Sequence, residues 1–232
     1  MLDAITSSES PAQIVITVFT FLVLMLVAMP FHECAHGWVA SLLGDKTAEE
    51  SGRLTLNPID HLDPMGAIAM LLFGIGWAKP VPVNPARCTK LKPKAAMALI
   101  AMAGPLSNLL FAFVIKIIYK AVWYSNLEIL LSGRESMYIY IIIALYNMIQ
   151  INIRLALFNL LPIPPFDGSR LFLVFLPTKL YFKVMRYERI IMAVIMVLLL
   201  TGIVSIPLSF LSRCVDSGLD YATGVVELFF GV

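Results

Sequence analysis

Apolar side chains run along this chain in long blocks, separated by short stretches rich in polar residues, Pro and Gly. A helix needs roughly 20 apolar residues to cross the hydrocarbon of a bilayer. Four blocks are long enough: from about Ile14 to Leu43, Ala95 to Ile118, Met137 to Leu161 and Ile190 to Leu211. Two are shorter. PMGAIAMLLFGIGWA (64–78) is Gly-rich and predicts a re-entrant or interfacial segment. The tail YATGVVELFFGV predicts an interfacial helix. KPVPVNP (79–85) and LPIPPFDG (161–168) predict loops or strand edges, because proline fixes φ and removes a backbone donor. No repeat or low-complexity stretch divides the chain, so a single domain over 1–232 is expected. The fold class expected is an all-α polytopic membrane protein.

Composition agrees with the pattern. Of 232 residues 59% are hydrophobic and 14% charged, where soluble domains carry about 25% charged. A net charge of +2 and the lack of a basic, aromatic-interleaved patch exclude a nucleic-acid partner. The segment MLDAITSSESPAQ has no Lys or Arg, unlike the start of a cleavable signal peptide, so the first block is expected to stay as a span. Cys34, Cys88 and Cys214 form no metal-type pair and read as free thiols.

Charge asymmetry predicts orientation. Residues 44–94 and 162–189 hold Lys46, Arg53, Lys79, Arg87, Lys90, Lys92, Lys94, Arg170, Lys179, Lys183, Arg186 and Arg189. The opposite side holds Lys120, Arg134 and Arg213. The basic side is expected in the cytoplasm, with both termini outside.

The first span contains an anomaly. LMLVAMPFHECAHGWVASLLG (24–44) places His32, Glu33 and His36 among apolar residues. Ionisable groups are costly there unless paired or coordinated, so they point to function. Residues four apart share a helical face, which lets His32 and His36 grip one metal ion. Glu33 sits one step round, within reach of a water on that metal, as in the H-E-x-x-H zinc pattern. Cys34 points away. Catalytic zinc takes three protein ligands. Glu49, Glu50, His61 and Asp167 are candidates for the third. Asp167 ranks first, because two prolines end the helix before it and Gly168 permits a turn that aims it back; His61 ranks second.

FHECAHGWVA (31–40), LTLNPIDHLDPMG (54–66), GWAKPVPVNP (76–85), AGPLSNLLFA (103–112) and NIRLALFNLLPIPPFDGSR (152–170) together resemble the site-2 protease family of intramembrane zinc metalloproteases, in its short branch without PDZ or CBS domains. The resemblance implies one Zn2+ held by His32, His36 and Asp167, with Glu33 as general base. It implies that Asn108 holds substrate backbone or the developing oxyanion, and that Asn159 contributes to the site. His61 is expected to support or gate it. GWAKPVPVN is expected to form a small membrane-associated β-hairpin. The partners implied are the lipid bilayer and a transmembrane protein substrate, cut within its span at a site toward the cytoplasm of a multi-pass cell-membrane protein. A metal transporter would not require Glu33, and an inactive scaffold would not keep the complete set.

Arg154 lies within the third span. Asn147, Gln150 and Arg154 share one face and read as a helix–helix seam; Asn152 and Asn159 share another that could line a cavity.

Overall fold

The computed structural model describes residues 11–73, 76–131, 137–187, 190–192, 194–195, 198, 201 and 204–231. Three helical stretches among them are long and apolar enough to cross a membrane: Ile14–Leu43, Pro93–Ser125 and Met137–Asn159. The protein is a multi-pass membrane protein. The fourth predicted span, 190–211, falls partly outside the described residues.

The first stretch comprises α1 (Pro11–Val23), a π-helical turn (Leu24–Ala28) and α2 (Met29–Leu43). Pro30 at the start of α2 has no N–H and its ring crowds the carbonyl four residues back. The wider π turn before it accommodates that ring. Gly44 ends α2 at φ 107°, a left-handed cap that a side chain would strain. The short helix α3 (Pro64–Phe73) follows. At 10 residues it is about 15 Å long, too short to span.

The described residues contain no strand, so the expected hairpin over 76–85 is not seen. In its place an irregular segment makes one antiparallel bridge, Ala78 to Leu62. Pro80 and Pro82 remove the donors that a ladder needs.

α4 (Pro93–Ser125) is the central helix and packs against α2 on one side and α5 (Met137–Asn159) on the other. Small residues permit the close approach: Ala40, Ala96 and Ile100 meet at one end, and Ala112 sits with Ile115, Ile149 and Ile153 at the other. Outward-facing residues of the spans, such as Phe19, Leu22, Leu110 and Val114, are exposed and suit lipid.

After α5, a turn leads into α6 (Asp167–Leu173). Gly168 matters here for space rather than for a positive φ: a Cβ on it would lie 2.2 Å from the carbonyl oxygen of Leu160. The C-terminal helices α7 (Ser205–Ala222) and α8 (Val225–Phe230) return to the bundle. Lys116 and Lys120 of α4, 3% and 5% exposed, meet them. Lys116 Nζ lies 2.7 Å from Asp216 and 2.9 Å from Asp220, and Lys120 Nζ 2.6 Å from Glu227. Gln150 of α5 donates to Asp216 at 3.0 Å, so part of the predicted polar seam exists and its partner is α7. Arg154 is exposed. All three cysteines are free.

Candidate metal centre

Three side chains from two helices converge on one point. His32 and His36 come from successive turns of α2, and Asp167 from the first turn of α6. His32 Nε2 lies 3.1 Å from Asp167 Oδ2 and 3.1 Å from His36 Nε2. His36 Nε2 lies 3.2 Å from the same carboxylate oxygen. A tetrahedral zinc with bonds of about 2.0–2.1 Å holds its ligand atoms about 3.3–3.4 Å apart. The near-equilateral triangle fits that geometry.

The hydrogen-bond pattern also suits a bound cation. His36 Nδ1 is 2.7 Å from the carbonyl oxygen of Ile100, which can only accept, so Nδ1 carries the hydrogen. In a neutral ring Nε2 is then a bare lone pair facing the carboxylate. A positive centre between them removes the repulsion, and a ring oriented through its other nitrogen is the usual arrangement for a metal ligand.

α4 closes the back of the site. A Cβ on Gly104 would stand 2.4 Å from His36 Nε2 and 2.5 Å from His32 Nε2. Only glycine lets the helix approach so near. One turn on, the side-chain amide of Asn108, 1% exposed, lies 2.9 Å from His32 Nδ1.

Glu33 opens onto the same cavity of about 660 Å3, lined also by His32, His36, Trp77, Asn159 and Asp167. Its Oε2 accepts from the Val81 N–H at 2.9 Å. The Asn159 amide donates to Leu155 O at 3.0 Å. Asn152 is buried and is not part of that lining.

His61 is placed elsewhere. It is 2% exposed, and its Nε2 bonds the carbonyl oxygen of Thr55 at 2.6 Å. Its own carbonyl accepts from Lys79 N–H. Glu49 pairs with Lys46 and Glu50 with Arg87 at the surface. Among the described residues His32, His36 and Asp167 form the metal-competent group.

Val81, Arg53 and Gly104 escaped the sequence reading. Backbone donors and steric vacancies carry no residue signature; only the alternating prolines of KPVPVNP hinted that Val81 stands alone as a donor.

The chain is similar to known proteins over most of its length. The profile of peptidase family M50 matches residues 20–202. A Bacillus subtilis (strain 168) protein, YwhC, named as a candidate zinc metalloprotease, is 40% identical over 180 residues, which are 76% of this chain and 78% of that one. A Mycolicibacterium smegmatis protein, Rip2, named in the same way, is 28% identical over 148 residues, 62% of this chain and 52% of its own. No solved structure matches the chain significantly. The chain belongs to peptidase family M50, the site-2 protease family, and is a zinc metalloprotease.

Proposed function

We propose that the protein hydrolyses peptide bonds within transmembrane segments of other membrane proteins, using one zinc ion held by His32, His36 and Asp167. The observation that carries this reading is the equal spacing of those three ligand atoms beside Glu33, at the wall of a cavity set among membrane helices. Zinc at that point supplies a Lewis acid that acidifies water and polarises the scissile carbonyl. Glu33 takes the proton on its carboxylate and returns it to the leaving amine. Asp167 and the two imidazoles supply the charge and lone pairs that hold the metal. Asn108, fully buried against His32, keeps that ring in place; contact with substrate or an oxyanion would require it to leave His32.

The substrate class follows from access. A folded soluble protein cannot enter a cavity among spans, whereas a transmembrane helix can approach through the bilayer. Its peptide bonds are hydrogen-bonded and shielded, so it must unwind before attack, and helix-breaking residues favour that. The excess of Lys and Arg in the loops on that side supports a cavity that faces the cytoplasm. The chain acts as one catalytic domain.

The test is zinc content per chain after purification in mild detergent, beside cleavage of a single-span fusion substrate. Wild type is expected to carry one zinc, Asp167→Ala to lose it, and Glu33→Gln to keep it while losing cleavage. Zinc retained without Asp167, or turnover retained without the Glu33 carboxylate, overturns the assignment.

A further inference from the structure

The segment 76–85, which lines the cavity, is tied down at several points. Ala78 bridges to Leu62, and Lys79 N–H donates to His61 O at 2.8 Å. Arg53 Nη2 donates to the carbonyls of Lys79 at 2.9 Å and Pro80 at 3.3 Å. Asn84 N–H donates to the buried Asp45 carboxylate. Val81 is 6% exposed, and its side chain lies against Gly37 of α2, where a Cβ would come within 3.1 Å of it.

Between Pro80 and Pro82 the segment offers one backbone donor, the Val81 N–H, and that donor is spent on Glu33 Oε2. A carboxylate on a flexible side chain has several rotamers, and one fixed oxygen restricts them while leaving the other free to accept a proton.

We propose that this segment is part of the catalytic apparatus: the Val81 N–H is a positioning donor that aims the Glu33 carboxylate, and Arg53 holds the segment that carries it. The inference rests on Glu33 acting as the base. The prolines keep the donor exclusive, because neither neighbour has an N–H to offer Glu33 or a substrate strand. In this arrangement residues 80–82 serve the base rather than adding a strand to the substrate. Arg53, which is not itself among the lining residues, becomes a determinant of rate.

Hydrogen exchange of the full-length zinc-loaded protein tests the bond without any substrate. The difference in uptake between overlapping peptides that end at Lys79 and at Pro82 reports Val81 alone, since proline has no amide hydrogen. The Val81 amide is expected to be protected in wild type, to exchange at least about tenfold faster in Glu33→Ala, and to lose protection in Arg53→Gln. Equal exchange in wild type and Glu33→Ala overturns the proposal, even if Val81→Pro fails to fold. Kinetics with the single-span fusion substrate give the second arm. Val81→Pro is expected to keep one zinc and lower kcat about 100-fold, the scale of a misplaced catalytic group, with KM nearly unchanged. Val81→Ala keeps the N–H and is expected to recover most of that loss. A Val81→Pro enzyme that turns over like Val81→Ala, or changes only KM, overturns the proposal while Glu33→Gln inactivity leaves the protease reading intact. Full turnover by Glu33→Gln removes the base assignment itself.

Discussion

Asn108 of α4 lies with its side-chain amide 2.9 Å from His32 Nδ1, on the face of the ring away from Asp167. With zinc on Nε2, the His32 Nδ1 carries a hydrogen, and the partner must accept. The structure turns Asn108 Nδ2 to that nitrogen, so with the metal bound the amide would flip to present its carbonyl oxygen. Asn108→Ala is expected to weaken zinc binding about 10–100-fold, the usual cost of losing a partner behind a metal ligand. Asn108→Asp keeps an acceptor and is expected to bind more tightly than Asn108→Ala. Competition with a graded set of chelators measures both. Equal affinity for wild type and Asn108→Ala would show that His32 needs no such support.

Gly104→Ala puts a methyl group where both imidazole nitrogens stand. Backbone packing between α2 and α4 leaves little room to shift, since Ala40, Ala96 and Ile100 are buried within 2% of complete. The expected outcome is a folded protein with less than about a tenth of the wild-type zinc affinity, on the scale set by disturbed metal sites. Zinc content and a helix-content spectrum, recorded together, check it.

Lys116 sits between Asp216 and Asp220 with its side chain 3% exposed. Its carboxylate partners are 18% and 50% exposed and stay partly hydrated, so losing Lys116 costs less than the ~3–5 kcal/mol of a fully buried pair. Lys116→Met is expected to lower stability within that limit and to detach α7 and α8. Lys116→Met with Asp216→Leu is expected to regain most of it. The exposed pair Lys46–Glu49 offers the contrast, since surface ion pairs contribute about 0–1 kcal/mol. Unfolding in detergent with each variant provides the measurement.

Asp45 is buried after the cap of α2, and its carboxylate accepts from Thr47 and Asn84. Burial raises its pKa, but those hydrogen bonds and Arg87 prevail and hold it below 3.8. A depressed folded-state value means the stabilisation is complete above about pH 4 and fades as pH falls through the folded value. The melting temperature of wild type is therefore expected to drop below about pH 4 more steeply than that of Asp45→Asn, which has no charge to lose. A parallel pH series of melts decides it.

Much of the architecture was written in the chain. Long apolar blocks give spans because backbone hydrogen bonds must be satisfied within the segment when lipid surrounds it. The blocks at Ile14–Leu43 and Met137–Asn159 appear as helices close to their expected limits, and α4 extends beyond its block. At the C-terminal end that extension reflects Lys120, which hydropathy counts as a charge that ends a span, whereas Glu227, 107 residues on, pairs with it. The hairpin expected over 76–85 failed for a related reason: alternating prolines resemble a strand edge locally, but the segment's bonds go to Arg53, Glu33 and Asp45 instead of to a second strand.

At the site, the sequence by itself determined His32, Glu33 and His36, because helical periodicity sets which side chains share a face within one element. It also singled out Asp167, through the prolines that end α5 and the glycine that follows. What only the tertiary structure decided is how separate elements meet: the absence of a Cβ at Gly104 behind the imidazoles, the Asn108 amide on His32, His61 turned to Thr55, and the Val81 N–H on Glu33. Those relations depend on distances between helices and on backbone atoms, which every residue shares. Periodicity fixes a face within a helix; only packing fixes what that face touches.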